Sequence, residues 1–307
     1  MIRVMAEPTP QSSVVHQPVM GAEAMQWLAP RSGDTIADGT VGAGGHSLMI
    51  LPHVLPQGRL IAVDRDREAL EVARKRLADF TPQAMFIHGN YRDLPAILAD
   101  LKIVGLNGLL LDLGMSSMQV NQPERGFSFS SDGPLDMRMD LEQEPTAESL
   151  VNRCSADQLA DMLTRFGEER FARRIAQRIV EARRERPIRT TAELARVVAH
   201  GVPASARHGR IHVATRTFQA LRIAVNDELG ALSTLLEQLP ELLKPGGRAV
   251  IITFHSLEDR LVKHAFLQAK RDGWGTILTK KPLRPSPQEC AANARARSAK
   301  LRAIERA

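Results

Sequence analysis

The sequence predicts an α/β protein: a doubly wound, Rossmann-like sheet interrupted by an all-helical insertion. Three observations carry this. A glycine-rich loop, Asp38 to His46, stands between a strand-like run and a helical one. The next apolar run, Gly58 to Val63, ends in an acid, Asp64. Strand-like and helical runs alternate up to about residue 120, give way to an arginine-rich helical block, and resume near residue 245, as a split sheet domain would.

His16 to Met20 leads into Ala22 to Leu28, a short helix stopped by Pro30, and Asp34 to Ala37 is the first strand. In the loop that follows, Gly39, Gly42, Gly44 and Gly45 let the backbone take positive φ and approach a ligand. Ser47 to His53 begins a helix, and the second strand runs to Asp64. Asp66 is placed to cap a helix with Leu70, Ala73 and Leu77 on one face. Ala84 to His88 is a third strand, and Leu94 to Leu101 a helix. Gly108 to Leu111 is continuously apolar, as a strand buried on both faces should be, and ends in Asp112.

Beyond Asn121 the alternation stops in a Gly-, Pro-, Asp- and Ser-rich stretch through Asp140, long enough to suggest a functional loop. Ser155 to Gln158 is a capping box opening a helix that Gly167 should close. Glu168 to Arg186 is an arginine-rich helix stopped by Pro187, and Thr190 opens another with Leu194, Val197 and Val198 on its buried side. A loop from His200 carries Arg207, His208, Arg210 and His212. Thr215 to Leu243 is mostly helix, Ala249 to Phe254 a fifth strand, and His255 or Ser256 caps Leu257 to Lys270. Gly275 to Lys280 and Lys300 to Arg306 form a last hairpin. The expected division is a sheet domain over 1–139 and 216–307, its first 15 residues a free tail, with a helical insertion over 140–215.

A glycine loop between strand and helix, with an acid at the next strand's end, predicts a nucleoside-bearing cofactor whose ribose hydroxyls meet Asp64. The loop does not complete the Gly-x-Gly-x-x-Gly fingerprint, and there is no Gly-x-x-x-x-Gly-Lys phosphate loop. Asp38 at the loop's start would repel phosphate but complement a cationic or zwitterionic ligand. S-adenosylmethionine is such a ligand. Tyr91, the only tyrosine, follows the third strand and is a candidate for stacking on adenine. Asp112, Ser116 and Ser117 follow the fourth strand, where the reactive end of a cofactor would point.

Net charge is +6, unevenly spread. Val151 to Arg222 holds 15 arginines, no lysine and 7 acids; Lys263 to Arg306 holds 11 basic and 3 acidic residues, which leaves the rest of the chain acidic. Two basic regions beside an acidic body point to a polyanion surface. Aromatic residues are only 4%, so base stacking should not dominate an RNA contact. Cys154 and Cys290 have no zinc spacing and read as reduced thiols of a cytoplasmic protein; no metal site is expected. No run approaches the ~20 apolar residues of a membrane span, and the N-terminal residues do not resemble a signal peptide.

With these motifs in place, the chain resembles the bacterial methyltransferase H family, enzymes of cytosine N4 in small-subunit ribosomal RNA. The matching segments include His16 to Met20, Asp38 to Ser47, Ala62 to Asp66, Leu110 to Ser117, Glu124 to Phe129 and Asp132 to Asp140. Phe166 to Arg170, Ala214 to Ala220, Phe254 to Arg260 and Asn293 to Arg302 complete them, with Ala294 where proline is expected. The resemblance implies a class I methyltransferase sheet, S-adenosylmethionine as donor and a decoding-centre cytidine as acceptor. It places Gly44, Gly45 and His46 at the donor's amino-acid end, Asp64 on its ribose, Tyr91 and Asp112 against the adenosine and Gln119 nearby. It also implies a late-assembling 30S particle as substrate and a homodimer. The family of exocyclic-amine enzymes with Pro-Pro-aromatic after the fourth strand is not matched; Asp112 is followed by Leu-Gly-Met-Ser-Ser. The amine-contacting candidates are therefore Asp112, Ser116, Ser117, Asp136 and His255, and no cysteine is placed for ring-carbon methylation. A nicotinamide-dependent oxidoreductase would need the completed loop and a proton-relay pair. The other alternative is an RNA-binding assembly factor that keeps the pocket without catalysis.

Overall fold

The computed structural model describes residues 18–207 and 212–307. His16, His208, Arg210 and the expected tail lie outside the described residues.

The chain runs α1 (Gly21–Leu28), β1 (Thr35–Asp38), α2 (Gly45–Val54), β2 (Arg59–Asp64), α3 (Arg67–Arg76), β3 (Ala84–His88), α4 (Leu94–Asp100) and β4 (Leu106–Asp112). After the short α5 (Ser117–Asn121) come α6 (Ala147–Arg153), α7 (Ala156–Gly167), α8 (Ala172–Glu185), α9 (Thr191–Gly201), α10 (Thr215–Asn226) and α11 (Glu228–Leu242). The sheet resumes with β5 (Leu243–Thr253), α12 (Ser256–Arg271) and β6 (Gly275–Ile277), and closes with α13 (Pro287–Ala292) and β7 (Lys300–Arg306).

The seven strands stand in the order β3-β2-β1-β4-β5-β7-β6. All pairs are parallel except those of β7, which runs antiparallel to β5 and β6. The chain leaves β1 toward β2 on one side and returns at β4 on the other. This switch point opens a crevice at the strands' carboxyl ends. Alternate strand residues serve opposite faces: Ile36, Leu60, Ala62, Leu110, Val250 and Ile252 pack under α1, α2 and α3, while Ala37, Ile61, Val63, Leu109, Leu111 and Ile251 meet α4, α11 and α12. The helical block has its own core, from Phe127 through Leu163, Ile175 and Leu194 to Val225.

α7 ends at Gly167 as expected, although Gly167 itself is not in the left-handed region; a Cβ there would stand 2.7 Å from the Arg216 carbonyl oxygen, so glycine permits the close crossing with α10. Other boundaries differ from expectation for physical reasons. Glu168 takes the left-handed turn instead, at φ 47°, and α8 starts only at Ala172. The long helix expected over 215–243 breaks at Asp227, φ 45°. β5 begins at Leu243, with a register shift against β4 before Gly108. His255 caps α12, its capping box completed by Glu258.

Candidate active site

The glycine loop crosses the carboxyl ends of β1, β2 and β4. Gly39 N–H donates to the Leu110 carbonyl at 3.0 Å and Val41 N–H to that of Val63 at 3.0 Å. A Cβ on Gly39 would lie 2.5 Å from Leu111 Cδ2 and 3.0 Å from Tyr91 Cβ, so no other residue lets the loop pass this close. Asp64 is fixed from both sides: Oδ2 accepts from Gly42 N–H at 2.7 Å and Oδ1 from Asp66 N–H at 2.9 Å. Burial pushes its carboxyl up to about 6.

Asp112 ends β4. Its N–H donates to Thr40 Oγ1 at 2.7 Å, and its Oδ2 lies 3.7 Å from His46 Nδ1. Its other oxygen, Oδ1, is buried without a hydrogen-bond partner among the described residues. Burial, opposed by the charge of Arg295, pushes this carboxyl up to about 7. The His46 Nε2 lies 3.0 Å from the Val19 carbonyl, which fixes the ring's proton on Nε2. Burial, countered in part by the charge of Asp38, keeps His46 below its ordinary value.

These groups border one cavity. Of the expected cofactor residues, Gly45, His46, Asp64, Tyr91, Asp112 and Gln119 line it, and so do Ser116 and Ser117. Ser116 also caps α5, exchanging hydrogen bonds with Gln119 at 3.0 and 3.2 Å. Gln119 Nε2 donates to Asp66 Oδ2 at 2.8 Å, so it braces the β2–α3 turn. Tyr91 O–H reaches the Glu228 carbonyl at 3.4 Å.

Four expected site residues do not line the cavity. Asp38 lies behind the loop, 1% exposed, where Oδ2 accepts from Ser47 Oγ at 2.7 Å and Oδ1 from Thr40 N–H at 3.2 Å; it shapes the loop rather than facing the cavity. Gly44 takes φ 78°, where a Cβ would stand 3.3 Å from Leu77 Cδ1. Asp136 is spent on the Arg138 guanidinium through two bonds of 2.9 Å and lies outside the cavity lining. His255 is set back behind Glu258, which borders the cavity in its place. Glu228, Glu258 and Arg295 also line the cavity; Glu258 and Arg295 fall within the family-like segments Phe254 to Arg260 and Asn293 to Arg302, but none of the three was an expected site residue.

A donor with ribose hydroxyls and a positive charge suits this lining. Asp64 borders the cavity with each oxygen holding a single backbone N–H, Asp112 has an oxygen without a hydrogen-bond partner, and the acids disfavour a pyrophosphate. Strand order and cavity together define the class, an S-adenosylmethionine-dependent methyltransferase. The chain belongs to the MraW methylase family, whose model matches residues 13–307. Ribosomal RNA small subunit methyltransferase H of Syntrophotalea carbinolica is 48% identical over 306 residues, covering 95% of this chain and 98% of its own. The protein of that name from Geobacter sulfurreducens is 48% identical over 309 residues, with 95% and 98% covered. An rRNA methylase of Streptococcus thermophilus, known as a crystal structure, covers 92% of this chain and 94% of its own at 10% identity and a TM-score of 0.45. No helix among the described residues is long and apolar enough to cross a membrane.

Proposed function

We propose that the chain methylates the exocyclic N4 of a cytidine in small-subunit ribosomal RNA, acting in the cytoplasm on a late-assembling particle. The observation that carries this is Asp112, a partly buried carboxyl at the end of β4 that borders the cavity and has one oxygen without a hydrogen-bond partner. Asp64 and the loop hold the donor, which supplies an electrophilic methyl on its sulfonium. The amine of cytosine is a weak nucleophile because its lone pair is delocalised into the ring, so the site's main contribution is alignment. The Asp112 carboxylate accepts a hydrogen bond from the amine and takes its proton as the N–C bond forms and the electron pair of the S–C bond stays on sulfur. Ser117, at the start of α5 and bordering the cavity, is the second amine contact. The target base must leave its stack to reach this depth.

Recognition of the RNA falls to the helical block. Arg173, Arg174, Arg178 and Arg184 are exposed along α8, opposite a face buried through Ile175 and Ile179. Such a face grips phosphates and shape rather than sequence. The test is methyl transfer from labelled S-adenosylmethionine to unmodified small subunits and to naked RNA, with nucleoside analysis. N4-methylcytidine that disappears with Asp64→Ala supports the proposal. Tight RNA and donor binding with no transfer would favour the assembly-factor alternative.

A further inference from the structure

Besides Asp64, three carboxylates border the cavity, Asp112, Glu228 and Glu258, and they differ in how their charge is balanced. Glu228, at the start of α11, is bound in a fork by Arg222: Nε to Oε1 and Nη2 to Oε2, both 2.7 Å, with side chains 9% and 8% exposed. That pair is internally neutral. Asp112 is pushed up by burial and faces the charge of Arg295. Glu258 is different. It is 2% exposed, and its hydrogen-bond donors on Oε2 are the backbone N–H groups of Phe254, at 2.8 Å, and His255, at 3.2 Å. Oε1 lies 3.1 Å from His255 Nε2, while His255 Nδ1 accepts the Glu258 N–H at 3.4 Å; the ring's proton therefore sits on Nε2, close to the carboxylate but without an aligned hydrogen bond to it. Burial would raise this carboxyl, but His255, Arg222 and the Phe254 N–H outweigh burial and hold it below its ordinary range. Among these three acids, Glu258 is the one that keeps a full negative charge without a bidentate cationic partner.

We propose that Glu258 is a specificity-determining residue that lets this cavity distinguish the cationic donor from its neutral product. The inference rests on assigning the cavity to the donor. S-adenosylmethionine and S-adenosylhomocysteine share adenine, ribose, amine and carboxylate; they differ by one methyl group and the positive charge on sulfur. A fixed negative charge in a desolvated wall attracts the first and is indifferent to the second. Once the methyl has left, that attraction is gone and the product is released. One oxygen of Glu228, one of Glu258 and one nitrogen of His255 lie within 4.8 Å of one another, a spacing that would also suit a divalent ion, but Arg222 already occupies both oxygens of Glu228.

The experiment is calorimetric titration of the full chain with S-adenosylmethionine, S-adenosylhomocysteine and sinefungin, whose amine carries the charge in place of the sulfonium. Glu258→Gln removes the charge while glutamine still completes the capping box of α12, and thermal unfolding checks that it folds. The expected result is about tenfold weaker binding of the two cationic ligands, with the neutral product changed less than twofold. Glu258→Asp, which keeps the charge, should retain the preference. Equal weakening of all three ligands, or no change in any, would overturn the proposal. So would a preference that appears only with added divalent ion and vanishes with chelator. Asp64→Ala should weaken all three alike; if it weakens none, the assignment of the cavity to the donor fails instead.

Discussion

Arg125 Nη2 lies 2.9 Å from Asp66 Oδ2, with the two side chains 4% and 5% exposed. The same guanidinium donates to the carbonyls of Arg138 and Met139 at 3.1 and 3.0 Å. Asp66 caps α3 and stands two residues beyond Asp64. One buried ion pair therefore fastens the irregular stretch after β4 to the turn that holds the expected ribose acceptor.

Arg125→Ala leaves the buried Asp66 without its cationic partner, only Gln119 still donating to Oδ2. The expected cost is about 3–5 kcal/mol of stability, read from urea unfolding followed by circular dichroism. Donor affinity should fall with it, because the Asp64–Asp66 turn loses one of its two braces.

Asp112→Asn should stabilise the ligand-free protein at pH 8. The folded carboxyl titrates near 7 rather than at its ordinary 3.8. Between those values the folded chain holds a proton that the unfolded chain has released, so this group's contribution falls as pH rises toward 7. Unfolding curves of parent and variant should coincide at pH 4 and separate by about 1–3 kcal/mol above pH 7. A gap that widens toward acid would show the opposite sign.

The sheet and the glycine loop were legible because their signals are local: apolar runs, glycines, and acids that fall on the residue ending a strand. The rest of the site was not. His255 and Glu258 have the spacing of a capping box and do form one; nothing in that spacing reveals that Glu258 also borders the cavity. Arg295 reaches the Met115 carbonyl across 180 residues, beyond any periodicity. Asp136 misled because the stretch around it has no repeat, and its partner, Arg138, lies only two residues away. Gly167 does end α7, as its type suggested, but what requires glycine there is the helix crossing, which no local signal reveals.

The exposed arginines of α8 should carry salt-dependent RNA affinity. Arg173 and Arg184 are eleven residues apart on one helix, hence on nearly the same line. Changing both to alanine should lower the slope of log affinity against log salt by about 0.7 for each phosphate that is no longer neutralised, measured by filter binding. Donor binding should be unchanged.

Glu168 joins the two bodies, accepting from Ser256 Oγ at 2.8 Å and Arg260 Nη2 at 2.9 Å. Its partners are half exposed, so Glu168→Ala should cost under about 1 kcal/mol of stability. Its expected effect is a raised KM for the RNA substrate with donor affinity intact, seen in steady-state transfer assays.

The most direct test is single-turnover methyl transfer by parent and Asp112→Asn on unmodified small subunits, with donor binding measured on the same preparations. Asp112 as acceptor predicts donor affinity within a few-fold of the parent and transfer slower by about 100-fold or more. It also predicts a parent rate that climbs with pH and levels off above about 7. Transfer that persists at the parent rate in Asp112→Asn, with N4-methylcytidine as product, would contradict the role assigned to this carboxyl.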